Sequence, residues 1–221
     1  MSDFSIWFQT GIEHISDLQG YDHLLFLFIT TGVFLWRDIK KVLYLITGFT
    51  IGHSITLALC VFKLIHFNST MIEIFIPVTI LLTAMFQVFS QMKPLRLNVQ
   101  LIFIVFFGFI HGMGFSTLLS SMLGKEGNIA LPLLYFNLGI EIGQIFIVVM
   151  ILTISTIFIH LFKVQKKHFV MAISVITIVM SSKMIVDRIP QKKEEKKEMG
   201  RIPFKTSYFC SHSKLEFSFY A

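Results

Sequence analysis

Long apolar stretches separated by short polar loops dominate this chain. About 20 helical residues at ~1.5 Å per residue cover the apolar core of a bilayer. Six stretches approach or exceed that length, at residues 20–36, 42–62, 71–90, 97–119, 129–162 and 168–186. The pattern predicts an all-α fold, a polytopic integral membrane bundle of about six transmembrane helices. The fifth stretch exceeds one perpendicular crossing, so we expect it to tilt, to kink near Pro132 or to begin outside the membrane.

The hydrophobic pattern divides the chain into three regions. Residues 1–19 include a short amphipathic stretch, which we expect to form a segment on the membrane surface. Residues 20–189 form the predicted six-helix transmembrane domain. Residues 190–221 begin with a run of lysine and glutamate, and this composition predicts a polar, disordered tail.

Composition supports membrane embedding. Of the 221 residues, 54% are hydrophobic and 14% are charged, and a soluble domain of this length cannot bury so much apolar surface. The formal net charge is +6, but the basic residues lie mainly in short loops and in the tail. This placement is typical of membrane topology signals, so we expect the lipid bilayer as a partner and no nucleic acid.

The basic residues also predict an orientation. They follow alternate apolar stretches, at Arg37, Lys40, Lys41, Lys93, Arg96, Lys163, Lys166 and Lys167. Loops rich in lysine and arginine stay in the cytoplasm. We therefore expect a multi-pass protein of the cell (inner) membrane with both termini outside the cytoplasm, although the lysine-rich tail opposes this assignment.

Ionisable residues inside the apolar stretches are the main candidates for function. They are Asp22, His23, His53, His111 and Glu141. A charged side chain at membrane depth costs about 2.5–3.5 kcal/mol on insertion scales, so such residues usually face a protein interior. Counting inward from the loops at ~1.5 Å per residue places all five in the outer half of the bundle. We interpret them as one divalent-metal site.

Each of these residues also has a simpler interpretation. Asp22 can serve as a helix cap, and a single intramembrane histidine often only binds a neighbouring helix by a hydrogen bond. Glu141 is harder to explain this way, because a buried carboxylate needs a proton or a cation. The metal interpretation therefore depends on the set of residues.

Helix periodicity adds supporting residues. Asn137, Glu141 and Gln144 share one face of the fifth stretch, so Asn137 and Gln144 are expected to orient the Glu141 carboxylate. Gly139 and Gly143 lie on the opposite face, where small residues permit close helix packing. Two similar glycine pairs lie beside the histidines, at residues 48 and 52 and at residues 108 and 112.

Four segments carrying these residues resemble the HupE/UreJ family of hydrogenase- and urease-associated membrane proteins. They read GIEHISDLQGYDHLLFL (11–27), FTIGHSITLAL (49–59), FGFIHGMGFS (107–116) and FNLGIEIGQ (136–144). The resemblance implies a six-helix membrane protein and nickel or cobalt permeation. It also implies metal handling by His14, Asp22 and His23. Seven residues separate His14 from Asp22, a longer spacing than in the nickel-permease form. His14 is therefore the weaker candidate, and we expect it to recruit metal at the outer surface.

The residues and the resemblance together favour a permease for a divalent transition metal. Imidazole and carboxylate ligands suit nickel or cobalt best here and are compatible with zinc, whereas a soft Cu(I) site would need paired thiolates. The chain has no ATP-binding motif, so the membrane potential, an ion gradient or a cytoplasmic metallochaperone would drive transport. A homo-oligomer is a further possible assembly.

Other function classes stay open from the sequence. The same residues would suit a metal-dependent intramembrane hydrolase, and Ser116 near His111 suggests a serine hydrolase, although the two lie on different helix faces. A haem held by His53 and His111 and a non-transporting accessory or scaffold protein are further alternatives. We expect no enzyme activity and no catalytic residue.

Overall fold

The described part of the chain forms a bundle of seven α-helices. The computed structural model describes residues 3–18, 20–90, 96–123 and 129–199, and this part of the chain contains no strand. The helices are α1 (Asp3–Ser16), α2 (Asp22–Thr31), α3 (Ile39–Val61), α4 (Ser69–Ser90), α5 (Leu97–Leu123), α6 (Ala130–Thr156) and α7 (Lys166–Met199). A 3₁₀ turn, Trp36–Asp38, precedes α3, and a π-helical turn, Ile157–Leu161, extends α6.

Five described helices, α3 to α7, are long and apolar enough to cross a membrane. This confirms the predicted all-α, multi-pass membrane bundle. The first predicted span is different, because residues 20–36 form only the ten-residue helix α2 and a turn. At ~1.5 Å per residue, α2 is about 15 Å long and is too short to cross alone.

Helix α1 lies lengthwise against α6. Its buried face contains Trp7, Gly11 and Ile15, and a side chain added at Gly11 would overlap the main-chain oxygen of Phe136. A side chain at Gly139 would likewise overlap the main-chain oxygen of Phe8. The structure thus differs from the expected surface segment, because small residues let α1 pack closely on a transmembrane helix.

Helix α2 continues along α6 in the same direction as α1. Ile15, near the end of α1, contacts Gly143, and Gly32, just after α2, accepts a hydrogen bond from Ser155 Oγ at 3.2 Å. Both helices therefore progress toward the C-terminal end of α6. Together α1 and α2 form a discontinuous helix of about 36 Å at ~1.5 Å per residue, interrupted at residues 17–21.

Helices α3 and α5 pack closely around the glycines that the sequence singled out. A Cβ atom at Gly52 would overlap the main-chain oxygen of Val105, and one at Gly108 would overlap that of Phe49. The predicted close packing at these glycines is therefore present. It brings the middle of α3 against the middle of α5, where both helices carry a histidine.

One predicted boundary is kept and another changes. Pro132 lies in the first turn of α6, where its missing N–H breaks no helical hydrogen bond, and the helix continues directly into the π-helical turn. Helix α7 extends to Met199, so the predicted disordered tail begins with ten helical residues. Residues 200–221 lie outside the described part of the chain.

Candidate metal centre

Three histidines from three different helices meet inside the bundle. His14 comes from the last turn of α1, His23 from the first turn of α2 and His53 from the middle of α3. One ring nitrogen from each histidine lies within 4.8 Å of the others. Two nitrogens bound to one ion at about 2.0–2.1 Å lie at most about 4.2 Å apart, so small side-chain movements would let these nitrogens ligate one ion between them.

A fourth histidine, His111 of α5, borders this group. Its ring centroid lies 5.1 Å from that of His23, and its side chain is fully buried. Its Nε2 atom lies 3.4 Å from Thr79 Oγ1 of α4. We call His14, His23, His53 and His111 the histidine cluster.

Most ring nitrogens of the histidine cluster have no protein partner. Among the described residues, hydrogen bonds are lacking at the buried atoms His14 Nε2, His23 Nε2, His53 Nδ1, His53 Nε2 and His111 Nδ1. Buried polar atoms normally find a partner, and an orphaned one costs about 1–3 kcal/mol. The donor set therefore fits a transition-metal ion, which would bind one lone-pair nitrogen of each neutral imidazole.

The backbone around the histidine cluster explains how the residues converge. The interruption between α1 and α2 brings His14 and His23 together, with ring centroids 4.6 Å apart. At the α3–α5 contact, a Cβ atom at Gly112 would overlap the main-chain oxygen of His53. This close contact holds the neighbouring His111 near the same site.

Aromatic rings enclose the histidine cluster. The Phe115 and His14 ring centroids are 3.8 Å apart, and Phe136 stacks on Phe115 at 5.1 Å. On the other side, the rings of Phe26 and Phe49 each lie 5.3 Å from His111. The cluster is therefore a small polar site within apolar walls.

Asp22 has a different partner in the structure. Its carboxylate accepts two hydrogen bonds from Arg188 Nη2 of α7, at 2.9 and 3.2 Å. The same guanidinium donates to the main-chain oxygen of Glu73 on α4. Asp22 is thus part of an ion pair that joins α2, α4 and α7, and it lies outside the three-histidine group.

Glu141 also lies apart from the three-histidine group, and it faces hydroxyl groups of α3. Thr47 Oγ1 donates to its carboxylate at 2.9 Å. The two residues on the same face of α6 also accept hydrogen bonds from α3. Ser54 donates to Asn137 at 2.8 Å, and Thr50 donates to Gln144 at 2.7 Å. The predicted shared face is correct, and it joins α6 to α3.

The structure therefore divides the single site expected from the sequence. His23, His53 and His111 come together with His14, the residue with the longer motif spacing. The two carboxylates, Asp22 and Glu141, have hydrogen-bond partners of their own. Sequence reasoning missed Arg188, whose only signal was one arginine at the end of the last apolar stretch.

Comparison with known protein families identifies the family of this chain. The family model described as HupE / UreJ protein matches residues 1–188 of the 221-residue chain. The chain belongs to the HupE/UreJ family. The resemblance seen in the four sequence segments is confirmed, and the HupE/UreJ family is associated with an accessory function in nickel and cobalt transport. No curated protein and no solved structure matches the chain.

Proposed function

We propose that this HupE/UreJ protein is a permease for a divalent transition metal, nickel or cobalt, and that the histidine cluster binds the ion during passage. The observation that supports the proposal is the convergence of four imidazoles from four helices with most of their nitrogens unpaired. Imidazole is a good ligand for these metals. Intramembrane ionisable groups commonly mark ion pathways.

The composition of the site suits transport. A permeating ion must bind well enough to enter and weakly enough to leave. Neutral imidazoles supply coordination without a permanent negative charge, and both nearby carboxylates are occupied by protein partners. The ion would therefore bind reversibly, in contrast to a structural site made of thiolates.

Binding to purified protein in detergent tests the site. We expect one nickel ion per chain by calorimetry. In His23→Ala and His53→Ala, affinity should fall about 10-fold or more, because metal affinity depends on each ligand. His168→Ala is the matched control, since His168 is an exposed histidine at the start of α7. Equal affinity in all four proteins would refute the histidine site.

Uptake into proteoliposomes tests transport. Vesicles containing the protein should accumulate nickel or cobalt faster than empty vesicles, and vesicles containing His53→Ala should lose most of that difference. Binding with no uptake would instead favour a non-transporting accessory role, because the ion would then be held and not passed.

A further inference from the structure

A partly enclosed cavity of about 180 Å³ lies between α2, α4 and α5, away from the histidine cluster. Its walls include Thr30 at the end of α2, Gln87 at the end of α4 and Gln100 at the start of α5. It therefore lies toward the basic end of the bundle, where Arg37 and Arg96 precede α3 and α5. Most of the remaining wall is apolar, including Phe34 and Phe103, and a volume of this size has room for several water molecules.

A polar stripe on α4 links the histidine cluster to this cavity. Thr79, Thr83 and Gln87 are four residues apart and share one helix face. Thr79 contacts His111, whereas Thr83 and Gln87 line the cavity. Thr30 faces the cavity from α2, and its hydroxyl is buried without a partner in the described part of the chain. These groups form a series of oxygen ligands leading away from the histidines.

A pair of phenylalanine rings lies between the two sites. Phe26 and Phe49 are fully buried, with ring centroids 4.8 Å apart. Both rings contact His111. The ring centroid of Phe26 also lies 6.3 Å from that of Phe107, and Phe107 lines the cavity. Apolar constrictions of this kind block ions by excluding water.

We propose that the cavity is the inner vestibule of the permeation path, and that the Phe26–Phe49 pair is the barrier between it and the histidine cluster. The ion leaving the histidines would pass the ring pair and become hydrated beside Thr30, Thr83 and Gln87. This inference rests on the proposed permease function. It adds a route and a barrier, neither of which follows from the histidine cluster.

Cysteine accessibility tests whether the cavity is wet. The parent protein carries Cys60→Ala and Cys210→Ser, so that each variant has one thiol. Thr83→Cys places that thiol in the cavity wall, and Met85→Cys is the matched control, because Met85 is exposed on α4 but does not line the cavity. A charged thiol reagent is added to each face of membrane vesicles separately, and mass spectrometry measures the modified fraction.

We expect the reagent to modify Thr83→Cys from the basic-loop face only, about 10-fold faster than Met85→Cys, because thiolates form in water and not in lipid. Modification should reduce nickel uptake and leave nickel affinity of the purified protein unchanged. Equal labelling of the two cysteines would overturn the vestibule, and would indicate a cavity filled by lipid. Normal nickel uptake by the modified protein would also overturn the vestibule.

A second variant tests the ring pair. Phe26→Ala should raise passive nickel flux through proteoliposomes about threefold or more, because it widens the apolar constriction. Size-exclusion chromatography checks that Phe26→Ala folds. If it does not fold, the variant Phe26→Leu is used in its place. Unchanged or lower flux in a folded variant would overturn the barrier. If the parent transports no nickel, the permease proposal fails, whereas the labelling result still decides whether the cavity is wet.

Discussion

At the scale of single residues, Asp22 shows where sequence reasoning reaches its limit. Its position beside His23 favours a metal ligand, yet the structure pairs it with Arg188, 166 positions away in the chain. Local pattern cannot reveal such a partner, because the pairing depends on how α7 packs beside α2. His53 and His111 were easier to single out, since each is an isolated ionisable residue in an apolar stretch.

We expect Arg188→Gln to destabilise the folded protein by about 1–3 kcal/mol. This is less than for a fully buried pair, because the Arg188 and Asp22 side chains are 23% and 13% exposed. The variant leaves the Asp22 carboxylate without its cation. Thermal unfolding in detergent measures the effect, with Lys183→Gln as the control at an exposed position of the same helix.

The double variant Asp22→Asn/Arg188→Gln should recover part of that loss, because it removes the unpaired charge. If Asp22 were mainly a metal ligand, the result would be different. Without metal, the melting temperature of Arg188→Gln would equal that of the parent, and the variant would bind nickel more tightly. These opposite outcomes separate a structural ion pair from a ligand masked by an arginine.

At the scale of helices, periodicity predicted faces well and lengths poorly. The shared face of Asn137, Glu141 and Gln144 and the glycine contacts of α3 follow from helical spacing, and the structure contains both. The interruption between α1 and α2 could not be predicted, because hydropathy does not show that an amphipathic helix packs on a transmembrane helix. Residues 1–19 therefore resembled a surface segment.

Gly112→Ala should reduce the yield and thermal stability of the folded protein. The added methyl group would overlap the main-chain oxygen of His53, and main chain in a packed helix pair cannot move aside cheaply. Gly114→Ala is the control on the same helix, because its methyl group would meet the flexible end of Ile76. Fluorescence-detected size-exclusion chromatography compares the two, and equal melting curves would contradict the packing argument.

At the scale of the whole molecule, α1 and α2 together replace the first predicted span. We infer six crossings, five by single described helices and one by the discontinuous pair. This count leaves both termini on one side. Counting by depth grouped His23, His53 and His111, which the structure also brings together, but depth alone cannot distinguish the faces of a helix, so it also included the carboxylates.

We predict that both termini face away from the cytoplasm. A reporter active only in the cytoplasm should give signal when fused after Lys41 or after Lys167, and no signal when fused after Lys63, because basic loops are retained inside. Expression of each fusion is checked by immunoblotting. The reverse pattern of signals would invert the bundle and place the proposed vestibule on the outer side.

The interruption between α1 and α2 has an electrostatic consequence. Helix α1 ends beside the histidine cluster, so the negative end of its dipole and its last main-chain carbonyl groups lie near His14. Helix α2 begins there, and the positive end of its dipole lies next to the Asp22 carboxylate. Broken transmembrane helices bind ions in other transporters through such termini. The carbonyl end of α1 therefore favours positive charge here independently of the imidazoles, while the positive end of α2 is offset by the Asp22 carboxylate.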